Sequence, residues 1–269
     1  DIQFIFTSNP EDYTNRGTIV TPLKDRIGSQ ILTHYPESIE IAKQITEQES
    51  RLNSQVVSKI HIPEIARDII EQISFEARES DLIDKKSGVS ARMSITSLQN
   101  LVSSAERRMI INNEKRTSIR MSDFNSVISS INGKVELVYE GEEEGAEQVS
   151  YNLISDAVKS LFNKYFPKIE KLSKPDEETP YDSLLEWFTQ KQLIIGDNLK
   201  NNEYEELLTE IIDARTIIDK YVKDLDDNDK FFFIEFILWG LESFNKLSIL
   251  RTNNGIEFKD PFNNFINKI

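Results

Sequence analysis

Asn9 follows the apolar run IQFIFT across one serine, and Pro10 comes directly after it. An asparagine beyond the carboxyl end of a buried strand can aim its amide at a ligand, because α/β sheets bind ligands there. Beside a bound nucleoside triphosphate, such an amide orients the attacking water near the γ-phosphate. A plain Asn-Pro turn accounts for the same dipeptide. A second set, Asp224, Asp226, Asn228 and Glu235, falls at positions 1, 3, 5 and 12 of an EF-hand calcium loop. The position that needs glycine for the sharp turn of that loop is Asp229. An acidic helix start with an aspartate cap explains these residues through the helix macrodipole. His34 and His61 lack the cysteine or carboxylate spacing of a zinc site and read as structural. Trp187, Trp239 and the run Phe231, Phe232, Phe233 read as core. No Ser-His-Asp or paired-carboxylate constellation stands out.

The elements that must position these groups are mostly helical. Residues 2–7, IQFIFT, and the run QILTHYP at 30–36 have the β-branched and aromatic content of short buried strands. The length of the connection between them suits a crossover in an α/β layer. From Pro36 the apolar period changes to i, i+3, i+4 in four segments, 36–52, 63–80, 91–112 and 121–132. Pro36 and Pro63 suit first-turn positions, and Ser122 or Asp123 suits a cap. GKVELVYEGEEEGAEQVSY, 133–151, alternates around GEEEG and predicts a β-hairpin. Segments 151–172, 180–194, 201–225 and 227–250 return to the helical period, the last being the most apolar and so central to a bundle. SKPDEETP, 173–180, reads as a polar linker, and no 20–50-residue repeat is visible.

Composition narrows the function classes. A chain of 269 residues with 38% hydrophobic and 29% charged residues can bury a sizeable core. No apolar run approaches the ~20 residues of a membrane span, and the start lacks a basic region followed by an apolar stretch, so cytoplasm is the expected compartment. Zero cysteines exclude disulfides and thiolate metal sites and fit a reducing environment. The net charge of -14 is unevenly spread: residues 1–134 hold 17 Lys and Arg against 18 Asp and Glu, residues 135–269 hold 15 against 28. The acidic half is expected to repel nucleic acid and anionic membranes and suits solubility or a basic protein partner.

The order of motifs adds a resemblance. SNPEDYTNRG, then TPLKDRIGSQ, then Tyr35-Pro36 resembles the stretch around sensor 1 and the arginine finger of AAA+ ATPases of the magnesium-chelatase subunit I and MoxR group. The matching residues are Asn9, Pro10, Glu11, Leu23, Asp25 and Arg26, with Ile27 in place of an aromatic. SGVSARMSI, 87–95, looks like the sensor-2 turn and helix start, and the 66 residues from Arg26 to Arg92 leave room for a helical lid. The likeness covers roughly residues 1–130 and implies Asn9 as sensor 1, Arg26 as the finger acting in trans, Arg16 as a second trans arginine, and Arg92 as the sensor-2 contact to ATP phosphates. Phosphoryl transfer needs positioning and cations at the developing charge, which these roles supply. Hydrolysis felt at Arg92 would change the lid angle and reshape the ring.

The same comparison exposes what is missing. The one Gly-Lys pair, Gly133-Lys134, has Ile128 where a P-loop needs its first glycine and Val135 where it needs a hydroxyl. No apolar strand ending in Asp-Glu precedes Asn9. The chain is therefore expected to be the C-terminal part of a longer ring-forming ATPase, a hexamer that uses ATP and Mg2+, and to be inactive and without bound cofactor alone. Relatives of that kind remodel a partner, often one carrying a von Willebrand A domain, or serve metal insertion. The expected fold is mainly α with minor β: residues 1–35 a remnant of the α/β AAA+ core, 36–133 a helical lid, and 134–269 an acidic helical domain opened by a hairpin. Strands 2–7 and 30–34 lack their natural neighbour in this reading and should be exposed, displaced or paired elsewhere. The alternative is a non-enzymatic helical interaction module whose acidic half docks a basic partner.

Overall fold

The computed structural model describes residues 2–7, 21–169, 178–252 and 254–261, which form two compact units, Asp1–Pro36 and Glu37–Ile269. In the first unit, α1 (Thr21–Arg26) is a single short helix with no buried residue. The two strands expected at 2–7 and 30–34 do not form. Their apolar side chains stand in the open, Ile2 at 81% and Ile31 at 88% exposure. A lone extended segment has no ladder to satisfy its backbone, so β-propensity alone cannot make it a strand. The α/β layer anticipated for the opening is thus absent among the described residues, whereas the mainly α, minor β class holds for the chain.

The second unit begins with α2 (Ile39–Glu49), whose first turn is closed by Ser38 Oγ accepting from the Ile41 N–H at 3.3 Å. A short α3 (Ser54–Val57) and strand β1 (Ile60–His61) lead to α4 (Glu64–Glu79), with Pro63 at its N-cap. There a proline loses nothing, because the first helical N–H groups have no intrahelical acceptor. The long α5 (Arg92–Ile111) follows, then β2 (Thr117–Ser118), which pairs parallel with β1. A 3₁₀ segment (Met121–Val127) runs into α6 (Ile128–Asn132), and its start is fixed by the Asp123 carboxylate accepting from the Arg120 N–H at 2.8 Å.

The hairpin expected at 133–151 is replaced by two helices, α7 (Tyr139–Glu144) and α8 (Ala146–Tyr165). Gly145, at φ +96°, makes the corner between them in a region side chains avoid. The extended half of that alternating stretch does pair, but with the loop before α5: Asp84 N donates to Glu136 O at 2.8 Å and Val138 N to Leu82 O at 3.1 Å. With that partner taken, the glutamate-rich remainder follows its helix propensity.

Beyond α8 the chain forms α9 (Asp182–Gln190), strand β3 (Leu193–Gly196), α10 (Asn201–Thr209), α11 (Ile212–Tyr221) and α12 (Lys230–Ser243). A hairpin of β4 (Ser248–Thr252) and β5 (Gly255–Lys259) then adds β3 to its far side, giving the antiparallel order β3-β5-β4. Most of the linker expected at 173–180 lies outside the described residues. As its composition predicts, α12 is central, with eleven buried residues from Phe232 to Ser243. Helix α8 packs between α4 and α12, and one hydrophobic core runs from Ile60 to Phe258 without a break near residue 134. The expected boundary there divides sequence segments that share a single core. No described helix is long and apolar enough to cross a membrane.

Candidate functional site

Helix α5 carries Met93, Leu98, Leu101, Val102 and Ala105 on its buried face, each at most 3% exposed. That stripe seats the helix against α4, where Ser94 Oγ meets Ser74 Oγ at 2.7 Å. Glu71 of α4 is 3% exposed and sits beside Ser94 and Thr46. Burial raises its carboxyl above the ordinary value, and hydrogen bonds from these two hydroxyls oppose the rise. The head of α5 is therefore held by packing, and one residue ahead of its N-cap Ala91 the Ser90 Oγ accepts from the Arg92 N–H at 3.2 Å.

Arg92 occupies the first helical position and is exposed. No acidic residue lies in the first turn of α5, and among the described residues no ion pair involves Arg92. A helix N-terminus already carries about half a positive charge, so a cation there adds to the dipole when it could oppose it. Such an end attracts anions, phosphate above all. Arg26 is likewise exposed, at the last position of α1 in the other unit. Asn9 and Arg16 lie outside the described residues. Of the four residues singled out from the sequence, the structure describes two, Arg26 in the first unit and Arg92 in the second.

It does assemble a buried polar hub that the sequence reading did not foresee. Arg108, on the apolar side of α5 and 1% exposed, forms an ion pair with Asp123 and donates to Ser118 O at 2.7 Å. Asp123 also accepts from Ser104 Oγ at 2.9 Å. Arg120 donates to Leu199 O at 3.0 Å and to Asn201 Oδ1 at 3.2 Å, and its guanidinium lies 4.0 Å from the centre of the Tyr204 ring. The Tyr204 hydroxyl donates to Glu235 Oε2 at 2.7 Å, and the Met121 N–H donates to the same oxygen at 3.1 Å. Burial pushes the Glu235 carboxyl up to about 7, against the Tyr204 hydrogen bond and the Arg120 charge. Burial, then the Glu235 charge, keep the Tyr204 phenol protonated and donating.

The hub ties α5 and the 3₁₀ segment to α10 and α12. All four of its charged side chains are at most 5% exposed, so it binds elements together and offers a substrate no access. It also redirects the EF-hand resemblance, since Glu235 points into the core. Asp226 Oδ1 caps the turn ahead of α12 by accepting from the Asn228 N–H at 2.8 Å, and Asp229 Oδ1 meets His61 Nε2 at 2.5 Å. Among the described residues no group of three or more His, Cys, Asp or Glu is arranged to hold a metal ion. A signal for the hub was present: Glu235 is the lone charge in FFFIEFILW, and Arg108 continues the apolar spacing of Leu101 and Ala105. Family models, curated proteins and solved structures were each compared with the chain, and none matches it.

Proposed function

We propose that the chain is the C-terminal part of a ring-forming AAA+ ATPase, similar to magnesium-chelatase subunit I or MoxR, that uses ATP hydrolysis to remodel a partner protein or to serve metal insertion. The observation that carries this reading is Arg92. It is an exposed guanidinium at the head of a rigidly seated helix, with no acid in that turn, an arrangement that favours a phosphate. Its place in the order Asn9, Arg26, Arg92 supplies the rest. In this reading Arg92 touches the nucleotide of its own subunit, Arg26 reaches the neighbour's γ-phosphate, and Asn9 orients the water, with Arg16 a second trans contact. ATP and Mg2+ belong to the assembled parent, a hexameric ring in the cytoplasm, and a protein with a von Willebrand A domain is the partner class this family favours.

The test is ATP turnover by the full-length parent, wild type against Arg26→Ala, and by a mixture of Arg26→Ala with a P-loop mutant. An arginine finger acting in trans is worth about 10³-fold or more in turnover. Recovery in the mixture is expected, because an intact finger and an intact P-loop then meet at some subunit boundaries. Unchanged turnover in Arg26→Ala would remove the finger. A second reading, an acidic docking module, is favoured by Tyr139, 69% exposed, beside the exposed Glu140, Glu142, Glu143, Glu144 and Glu147. It predicts salt-sensitive capture of a basic protein, weakened by charge reversal at these glutamates.

A further inference from the structure

Two polar stripes face each other where α5 meets the 3₁₀ segment and α6. On α5 the positions are Asn100, Ser103, Ser104 and Arg107, and across from them stand Ser122, Asn125, Ser126 and Ser129. Both run i, i+3, i+4, i+7. A helix face that needs only to be wet is usually filled by long charged side chains, whereas these short ones leave a cleft of about 490 Å³. That volume lies within the about 300–1,000 Å³ of small-ligand sites. Asp123, whose carboxylate is held by Arg108 and Ser104, and Asp197, in the turn after β3, complete the lining.

Much of the wall is already internally bonded. Ser104 Oγ donates to Asp123, Ser126 Oγ to Asp123 O, Ser129 Oγ to Ser126 O, and the Asn100 amide nitrogen to Ser130 Oγ at 2.7 Å. Three side chains are left over, the exposed Ser103 and two others. Ser122 is only 8% exposed, and its hydroxyl makes no hydrogen bond among the described residues. Asn125 Oδ1 is buried and also unpaired. Leaving the buried Asn125 oxygen unmet costs about 1–3 kcal/mol, so a ligand that met it would gain what the fold forgoes. The two charges are also unspent. Arg107 and Asp197 sense each other electrostatically, yet no ion pair joins them. Desolvation raises the Asp197 carboxyl above its ordinary value, with Arg107 opposing.

We propose that this cleft binds a small zwitterion with an α-ammonium and a carboxylate, Arg107 receiving the carboxylate and Asp197 with Asn125 Oδ1 receiving the ammonium. Ser122 supplies a hydroxyl that donates to the carboxylate. A free amino acid carries both groups on one carbon, and a dipeptide carries them at its two ends. The assignment is independent of the ATPase reading, since none of these residues belongs to that set.

The experiment is calorimetric titration of the chain with the twenty L-amino acids and with glycyl-L-alanine. Each binder is then repeated as its N-acetyl derivative and as its methyl ester. At least one unblocked probe should saturate, with either block weakening it about tenfold or more, the worth of one charge-assisted hydrogen bond. Asp197→Asn and Ser122→Ala should each weaken the same probe by about tenfold in protein with an unchanged circular dichroism spectrum. Saturation by the dipeptide with none by the amino acids assigns the site to peptide termini, and the reverse assigns it to free amino acids. No saturation by any probe up to about 10 mM, which is weaker than a specific small-ligand site, overturns the proposal. Equal binding of blocked and unblocked forms overturns it as well and needs no variant to fold.

Discussion

A carboxyl that is 0% exposed, with one oxygen bonded twice and the other unpaired, holds its proton more tightly than a solvated one. Glu235 accordingly titrates near 7 in the folded chain against 4.5 when free. Between those values the folded state binds more protons than the unfolded state, so stability falls as pH rises through that window and levels off above it. The total comes to about 3 kcal/mol at 1.36 kcal/mol per pH unit. Glu235→Gln keeps an oxygen to accept from Tyr204 and Met121 and has no charge to desolvate. Urea unfolding from pH 5 to pH 8 should therefore show the wild type losing stability by about that amount and the variant losing much less. Parallel pH profiles would mean that Glu235 is as well solvated as a surface carboxylate. This residue also marks a limit of sequence reading. Arg92 was singled out by a resemblance in the order of motifs, whereas Glu235 was read as part of an acidic helix start because its partners, Tyr204 and Met121, are distant in sequence. Those partners lie 31 and 114 positions away in sequence.

Helices were the legible elements, because an apolar stripe at 3.6-residue spacing is written locally. The segments expected at 63–80 and 91–112 appear as α4 and α5 within two residues at either end. Strands were not legible, because a strand is defined by its neighbour. IQFIFT has strand composition and no paired strand among the described residues, while LIIG and SILRT acquire partners only where the chain after Asn254 folds back as β5. Helix-helix contact is similarly non-local, and Gly240 shows what it demands. A β-carbon on Gly240 of α12 would stand 2.1 Å from Phe162 Cδ2 of α8. Phe162 cannot retreat, since its ring is 5.0 Å from Phe166, 5.9 Å from Tyr181 and 5.8 Å from Phe244. Alanine would gain about 1 kcal/mol of helix propensity, but an unrelieved overlap in a packed core costs about 1–3 kcal/mol and more when neighbours are rigid. Gly240→Ala should lower the melting temperature by several degrees while leaving the helix content of the cold protein unchanged. A rise in melting temperature would show that α12 and α8 are less closely apposed.

The residues 37–269 pose the question of whether a boundary near 134 has energetic meaning. Many links cross it, among them the packing of α8 on α4 as well as on α12, the Met121 N–H bond to Glu235, and the Arg120 bond to Leu199 O. Another, His61 with Asp229, joins β1 to the start of α12. Melting the later half alone would leave Arg120 without its acceptors and strip the buried face of α4. Removing one partner from a buried charged group costs about 3–5 kcal/mol, a large part of the about 5–15 kcal/mol that holds a domain folded. The earlier half has no margin to stand on its own, and the two should unfold together. Trp187 and Trp239 both lie in the later half, whereas far-ultraviolet circular dichroism reports helices of both. Denaturant transitions followed by tryptophan fluorescence and by circular dichroism should coincide. A fluorescence transition that runs ahead of the dichroism would establish residue 134 as a boundary between two folding units. Coincidence instead means that the helices on both sides of residue 134 unfold as one cooperative body.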